Sequence, residues 1–178
     1  MRSPAPPRAA VDVVIEDPAW LKAIADPARL LRRAAGAAIK AATLPSTPSL
    51  AVTVALINDR AMRSLNHDFR GKDRPTNVLS FPAEVERSGR RRALGDIALA
   101  FGTVRREARD QHKTVTDHLA HLMVHGVLHL LGYDHESERQ AKRMEALERE
   151  ALASIGIGDP YLVPAPRPRR TTRGGVTR

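Results

Sequence analysis

The sequence predicts a single α+β domain, and three observations carry that prediction. Four short segments alternate as strands do, and five have the three-and-four spacing of helices. A chain of 178 residues has the length of one domain, with enough material to bury a core. Residues 114–131 are apolar on nearly every side, so they form a helix that other elements must cover.

Residues 1–10, with Pro4, Pro6 and Pro7, read as a flexible lead-in, and residues 11–160 as the folded domain. Residues 11–15 alternate as a short strand. Asp26-Pro27 opens a helix to Lys40, with proline at its first position and Leu30, Leu31, Ala34, Ala38 and Ile39 on its apolar side. Residues 45–49 are a turn-rich break. Residues 50–57 form the strongest strand: Leu50, Val52, Val54 and Leu56 share one face, and Ala51, Thr53, Ala55 and Ile57 the other. Apolar residues on both sides predict a central strand covered on each face.

Asn58-Asp59 caps a helix to about His67, with Met62 and Leu65 inward. Gly71 and Pro75 make residues 70–76 a loop. Residues 78–81 are a strand stopped by Pro82. A charged hairpin over 83–92 leads to the returning strand 94–101, which carries Asp96. Helix follows over 103–111 and then over 114–131, where Thr114 and Asp117 cap the start and Gly132 ends the run. The last helix, 137–155, places Met144, Leu147, Ala151 and Ile155 on one side, and Gly156 and Gly158 end it.

The chemistry concentrates in the fourth of these helices. Four of the seven histidines fall within residues 121–135, and the chain has no cysteine. Any metal must therefore use His, Asp or Glu. At about 100° per residue, His118, His125 and His129 lie within roughly 40° of one another, with His121 beside them. His125 and His129 stand one turn apart, a spacing at which two imidazoles grip one ion. His121 and His129 are roughly 12 Å apart along the axis, too far to share an ion whose nitrogen bonds are about 2.1 Å. A third ligand must come from chain that has turned back, and Gly132 permits the turn. His135, just past it, is the candidate. Three neutral imidazoles leave a fourth position for water, the arrangement of a catalytic zinc rather than a closed structural one.

The plainer reading, core histidines with hydrogen-bond partners, is preferred for His118, His67 and His112. His121 reads as a group that orients one of the ligands or as an ordinary helix-face residue. Zinc peptidases carry His-Glu-x-x-His, with the glutamate as general base. This chain has Gly126 at that place, so the cage is zincin-like but lacks the proteolytic base.

The net charge of +9 and a pI near 10.9 point to nucleic acid. Residues 60–92 hold nine Lys/Arg against four Asp/Glu. Residues 161–178 hold five Arg and no acid among prolines and glycines, a composition expected to be a disordered basic tail. No apolar run reaches the roughly 18 residues of a membrane span, and residues 1–10 lack the apolar core of a signal peptide. The expectation is a soluble, cytoplasmic protein. Arg70 reads either as a loop charge paired with Asp73 or as a fork for phosphate that steadies charge at phosphorus. Lys72 and Arg74 read as backbone-binding or plain surface charges. Asp96 reads as a structural hydrogen-bonder or a polar group at the cleft.

Three separated motifs also carry a family resemblance. His125-Gly-Val-Leu-His129-Leu-Leu-Gly-Tyr-Asp-His135, the run from Arg70-Gly-Lys-Asp-Arg-Pro-Thr to Ser80-Phe-Pro82, and Leu94-Gly-Asp-Ile97 closely resemble the YbeY family of bacterial endoribonucleases. The resemblance covers roughly residues 11–160, including the Asp159-Pro-Tyr161 ending. It implies an α+β fold with a small mixed sheet packed by about five helices, one zinc ion on His125, His129 and His135, and an activity that needs Arg70. It also implies single-strand-specific cleavage in 16S rRNA 3′-end maturation and ribosome quality control, with single-stranded RNA, rRNA and the small ribosomal subunit as partners. In that mechanism zinc activates water, Arg70 stabilises charge at phosphorus, and Lys72 and Arg74 belong to a basic stretch that holds the strand. Asp134 and Glu136 are candidates for the base, unless the activated water needs none or the RNA 2′-hydroxyl attacks. Two other readings share the cage: a metallopeptidase, and a noncatalytic zinc-containing ribosome-assembly factor. Six aromatic residues are too few for extensive base stacking.

Overall fold

The computed structural model describes residues 9–44, 49–84 and 91–162. Ten elements follow in order: β1 (Ala9–Ile15), α1 (Ala19–Ala23), α2 (Pro27–Ala41), β2 (Ser49–Ile57), α3 (Asp59–Arg70), β3 (Val78–Pro82), β4 (Arg91–Ala100), α4 (Phe101–Asp110), α5 (Val115–Leu130) and α6 (Glu138–Ser154). The strands form one sheet in the order β1-β2-β4-β3, with β1, β2 and β4 parallel and β3 antiparallel to β4. The fold is therefore α+β with a small mixed sheet, and the described residues hold six helices where about five were expected. Among the described residues no helix is long and apolar enough to cross a membrane.

The sixth helix is α1, too short at five residues for periodicity to reveal. Its Trp20 is fully buried, meets Phe101 edge-on at 5.1 Å and donates to the Ile57 carbonyl at 3.3 Å. β1 begins at Ala9, two residues before the expected start, because Ala9 and Ala10 already pair with Leu50 and Ala51. The rest of the lead-in, residues 85–90 of the hairpin, residues 45–48 and the tail from 163 onward lie outside the described residues.

One face of the sheet carries the main core. Leu50, Val52, Val54 and Leu56 of β2 pack with Leu31, Ala34 and Ala38 of α2, Leu119, Met123 and Val127 of α5, and Leu152 of α6. The expectation that β2 is covered on both faces needs correction. Thr53 is exposed, as is Asp96, its partner on β4. Among the described residues only one end of that second face is closed, where Met62 and Leu65 of α3 meet Ile57, Leu79, Ala98 and Ala100. Small side chains at 51, 53 and 55 look apolar in a pattern, yet they bury little area and demand no cover.

α3 runs three residues further than expected, so Arg70 is its last helical residue and not part of a loop. Gly71, at φ 65°, then takes the left-handed conformation that ends the helix. Gly95, at φ 139°, lies so close to β3 that a Cβ there would sit 2.0 Å from the Phe81 carbonyl oxygen.

Candidate metal centre

α5 positions the histidines. Its N-cap, Thr114, accepts from the Asp117 amide at 3.0 Å, and ten of its sixteen residues are buried. His118, 3% exposed, is the core histidine expected: its Nε2 lies 2.8 Å from the Glu107 carboxylate. His67 and His112 are not core residues but exposed ones. His67 sits on the outer side of α3 beside Asp68, and His112 follows α4 with φ 55°.

At the other end of α5, His125 and His129 project from successive turns, each half-buried. Gly132, at φ 91°, turns the chain, and the Tyr133 amide closes the turn on the Leu128 carbonyl at 3.0 Å. His135 returns to the same place. One nitrogen from each of His125, His129 and His135 lies within 4.8 Å of the other two. The Nε2 atoms of His125 and His129 are 3.0 Å apart. Tetrahedral ligation with bonds of about 2.1 Å needs nitrogens roughly 3.4 Å apart, so these positions suit one ion after shifts of well under a bond length.

The protonation states suit it too. Burial lowers the His129 pKa below the ordinary imidazole value, and the adjoining His125 and His135 rings lower it further. His129 is therefore neutral at pH 7 and free to donate a lone pair. His125 is held from behind by Glu148, whose Oε1 accepts from His125 Nδ1 at 2.7 Å. With its proton on Nδ1, His125 presents a bare Nε2 to the centre.

Glu148 is 1% exposed and gathers three groups. Its second oxygen accepts from His121 Nε2 at 3.1 Å and from the Tyr161 hydroxyl. Burial alone would raise its carboxyl, but the hydrogen bonds from His121, His125 and Tyr161 outweigh that and hold it down at about 2. Burial and the neighbouring Glu148 charge keep Tyr161 protonated, so the phenol donates. His121 thus holds the carboxylate behind the trio and sets its ring edge-on to that of His125, at 6.4 Å between centroids. Tyr161, expected to begin the tail, belongs to this network. The sequence reading missed Glu148 altogether. The available signal was an acid on the buried side of an amphipathic helix, four residues after Met144 and three before Ala151.

Gly126 lies against the sheet. A Cβ there would meet Ile97 Cδ1 at 3.0 Å and Ser80 Oγ at 3.1 Å. Packing of α5 on β3 and β4 thus leaves no space for a glutamate at the peptidase position. Of the candidate bases, half-buried Asp134 accepts from the His135 amide at 2.8 Å, and Glu136 is exposed.

Arg70, Lys72 and Arg74 line a cavity of about 210 Å³ with Asn66, Asn77, Thr103 and Glu107, and none of the three histidines is among its walls. Asp73, considered as a partner for Arg70, is taken by Arg63 at 2.7 Å instead. The cavity reaches α5 through Glu107 and His118. His118 precedes His125 by seven residues of one helix, roughly 10 Å of axis.

Residues 22–156 match the family model described as endoribonuclease YbeY. The chain is 51% identical over 153 residues to an endoribonuclease YbeY of Rhodopseudomonas palustris, covering 84% of this chain and 80% of the relative. It is 47% identical to that of Maricaulis maris, covering 85% of this chain and 91% of the relative. The solution structure of TM1509 from Thermotoga maritima superposes with a TM-score of 0.51 at 26% identity, over 82% of this chain and 91% of that one. With the matched region spanning both the histidine helix and the cavity loop, this chain belongs to the endoribonuclease YbeY family.

Proposed function

We propose that this protein is a zinc-dependent, single-strand-specific endoribonuclease that matures the 3′ end of 16S rRNA and serves ribosome quality control in the cytoplasm. The observation that carries the reading is the convergence of His125, His129 and His135, with nitrogens within 4.8 Å of one another. The relatives' names supply the substrate class. His125, His129 and His135 hold the ion, and zinc in such a cage supplies Lewis acidity that polarises a phosphoryl oxygen and makes water a stronger nucleophile near pH 7.

The remaining work falls to the chain's own groups. Glu148 fixes the His125 tautomer, and His121 and Tyr161 fix Glu148. Among the described residues Arg70 has no ion-pair partner, which leaves its guanidinium for a phosphate and for the charge that grows at phosphorus. Lys72 and Arg74 hold the strand by its backbone. The basic residues of the C-terminal tail add affinity for rRNA on the small ribosomal subunit. Gly126, packed against Ile97 and Ser80 where a peptidase carries its glutamate base, disfavours the peptidase reading.

Metal content and cleavage of single-stranded RNA, measured on wild type and His129→Ala purified side by side, test the proposal. Wild type carries about one zinc per chain and cuts; the variant does neither. RNA cleavage by His129→Ala at the wild-type rate would overturn it, as would wild-type protein that binds RNA and never cuts.

A further inference from the structure

The cavity beside Arg70 has a polarity that the metal centre does not explain. Its walls come from three segments: Asn66 and Arg70 of α3, the 72–77 connection, and Thr103 and Glu107 of α4. Cations stand at its mouth, where Arg70, Lys72 and Arg74 are all exposed. Acceptors stand deeper. The Glu107 carboxylate holds Asn77 Nδ2 at 3.0 Å and His118 Nε2 at 2.8 Å, so it stays fixed as an anion in the wall.

Asn66 is the more telling group. It is 2% exposed, and its Nδ2 donates to the Arg74 carbonyl at 2.7 Å. That bond settles which end of the amide is nitrogen. The carbonyl oxygen, Oδ1, is left buried with no hydrogen-bond partner among the described residues. Buried acceptors without partners are uncommon and costly. The helix that carries Asn66 gains nothing from this one, since an apolar side chain would fill the position without the penalty.

We propose that this cavity is a subsite for one nucleotide of the RNA strand, with Asn66 Oδ1 accepting a hydrogen bond from a nucleotide N–H or O–H donor and the mouth cations holding the adjoining phosphate. A phosphate alone fits poorly, because Glu107 would repel it from the inner wall. A donor at one end and an anion at the other match both halves. At about 210 Å³ the space equals roughly seven water volumes, room for one ring and not for a run of stacked bases. The subsite rests on the endoribonuclease reading and adds to it a second grip on the strand, in a cavity that the trio does not line, that sets which nucleotide is held relative to the cut.

Binding of short fluorescent oligouridylates to the full-length His129→Ala protein, which leaves the strand intact, tests this. Three ligands are compared: unmodified, 2′-deoxy (no ribose hydroxyl donor) and N3-methyl (no base donor). One of the two modified strands should bind about tenfold more weakly, as expected for a lost hydrogen bond to a buried acceptor. Adding Asn66→Ala should weaken the unmodified strand by a similar factor and make all three bind alike. Equal discrimination with and without Asn66, or none in either protein, overturns the subsite.

If Asn66→Ala does not fold, Lys72→Ala and Arg74→Ala decide. Each should shallow the slope of log affinity against log salt by about 0.7, and unchanged slopes overturn the proposal. Cleavage by wild type is followed in parallel. Wild type that cuts normally beside a failed Asn66 comparison rejects the subsite alone, whereas wild type that never cuts rejects the endoribonuclease reading.

Discussion

Glu148 Oε1 accepts the Nδ1 proton of His125 at 2.7 Å, across twenty-three residues of chain and at 1% exposure. That bond gives His125 its ligating tautomer. Glu148→Gln keeps the size but loses the charge, and its amide can present an N–H where an acceptor is needed. Zinc affinity should fall about 10- to 100-fold, read by competition with a fluorescent chelator. Glu148→Ala should in addition lower stability by about 1–3 kcal/mol, because His121 and Tyr161 lose their buried partner. An affinity unchanged in both variants would show that the carboxylate orients nothing.

His129 contributes a neutral ring at a half-buried position, one turn from His125. His129→Ala should keep the far-ultraviolet dichroism of the wild type while losing metal and cleavage together. Removing the metal from wild type with a chelator should produce the same loss, and added zinc should reverse it. Reversal in the variant would place the ion elsewhere.

Gly126 of α5 packs directly against the sheet, where any side chain would press on Ile97 and Ser80. Gly126→Glu should destabilise the fold by about 1–3 kcal/mol through overpacking and confer no peptide hydrolysis. Gly126→Ala presses mainly on Ile97 Cδ1, 3.0 Å from the added Cβ. Pairing it with Ile97→Val, which deletes that methyl, should recover stability in urea titrations. Equal stability of the single and double variants would mean that the close approach costs nothing.

What was legible in the sequence was what is local. His125, His129 and the bend at Gly132 lie within one short stretch, so spacing alone brings the ligands together. The caps at Asn58 and Thr114 form as read for the same reason. Glu148 was not legible, because its role depends on how α6 packs against α5. Nor was the cavity, whose walls come from three segments that only the tertiary fold assembles. Arg70 could be picked out by residue type and motif, but neither its place at the end of α3 nor the cavity it lines follows from spacing. The half-open sheet was misread at Thr53, where alternation of small residues does not say whether anything covers them.

Glu107 and His118 give a pH dependence. Burial by itself would raise the Glu107 carboxyl, but hydrogen bonds from His118 and Asn77 outweigh it, and the net shift is downward from the ordinary 4.5. A carboxyl whose pKa is lower folded than unfolded stabilises the fold fully above the unfolded value. That contribution is lost as pH falls below about 4.5 and through the folded value. Wild type should therefore exceed Glu107→Gln in stability at pH 7, and the gap should close as the pH drops below that range. Urea unfolding of both proteins at several pH values checks this, and a gap independent of pH would rule it out.

Arg70 separates metal binding from strand chemistry. It lines a cavity whose walls do not include His125, His129 or His135, and it is not one of the three groups that converge as ligands, so its replacement leaves the ligand set intact. Arg70→Glu should leave zinc content at the wild-type level and abolish cleavage, since a carboxylate there repels the phosphate it replaces a cation for. Arg70→Lys keeps the charge but loses the two-pronged fork, and should retain part of the activity with RNA affinity near wild type. If Arg70→Glu cuts RNA as wild type does, the guanidinium has no part in the reaction. If it loses zinc instead, the cavity and the metal centre are coupled.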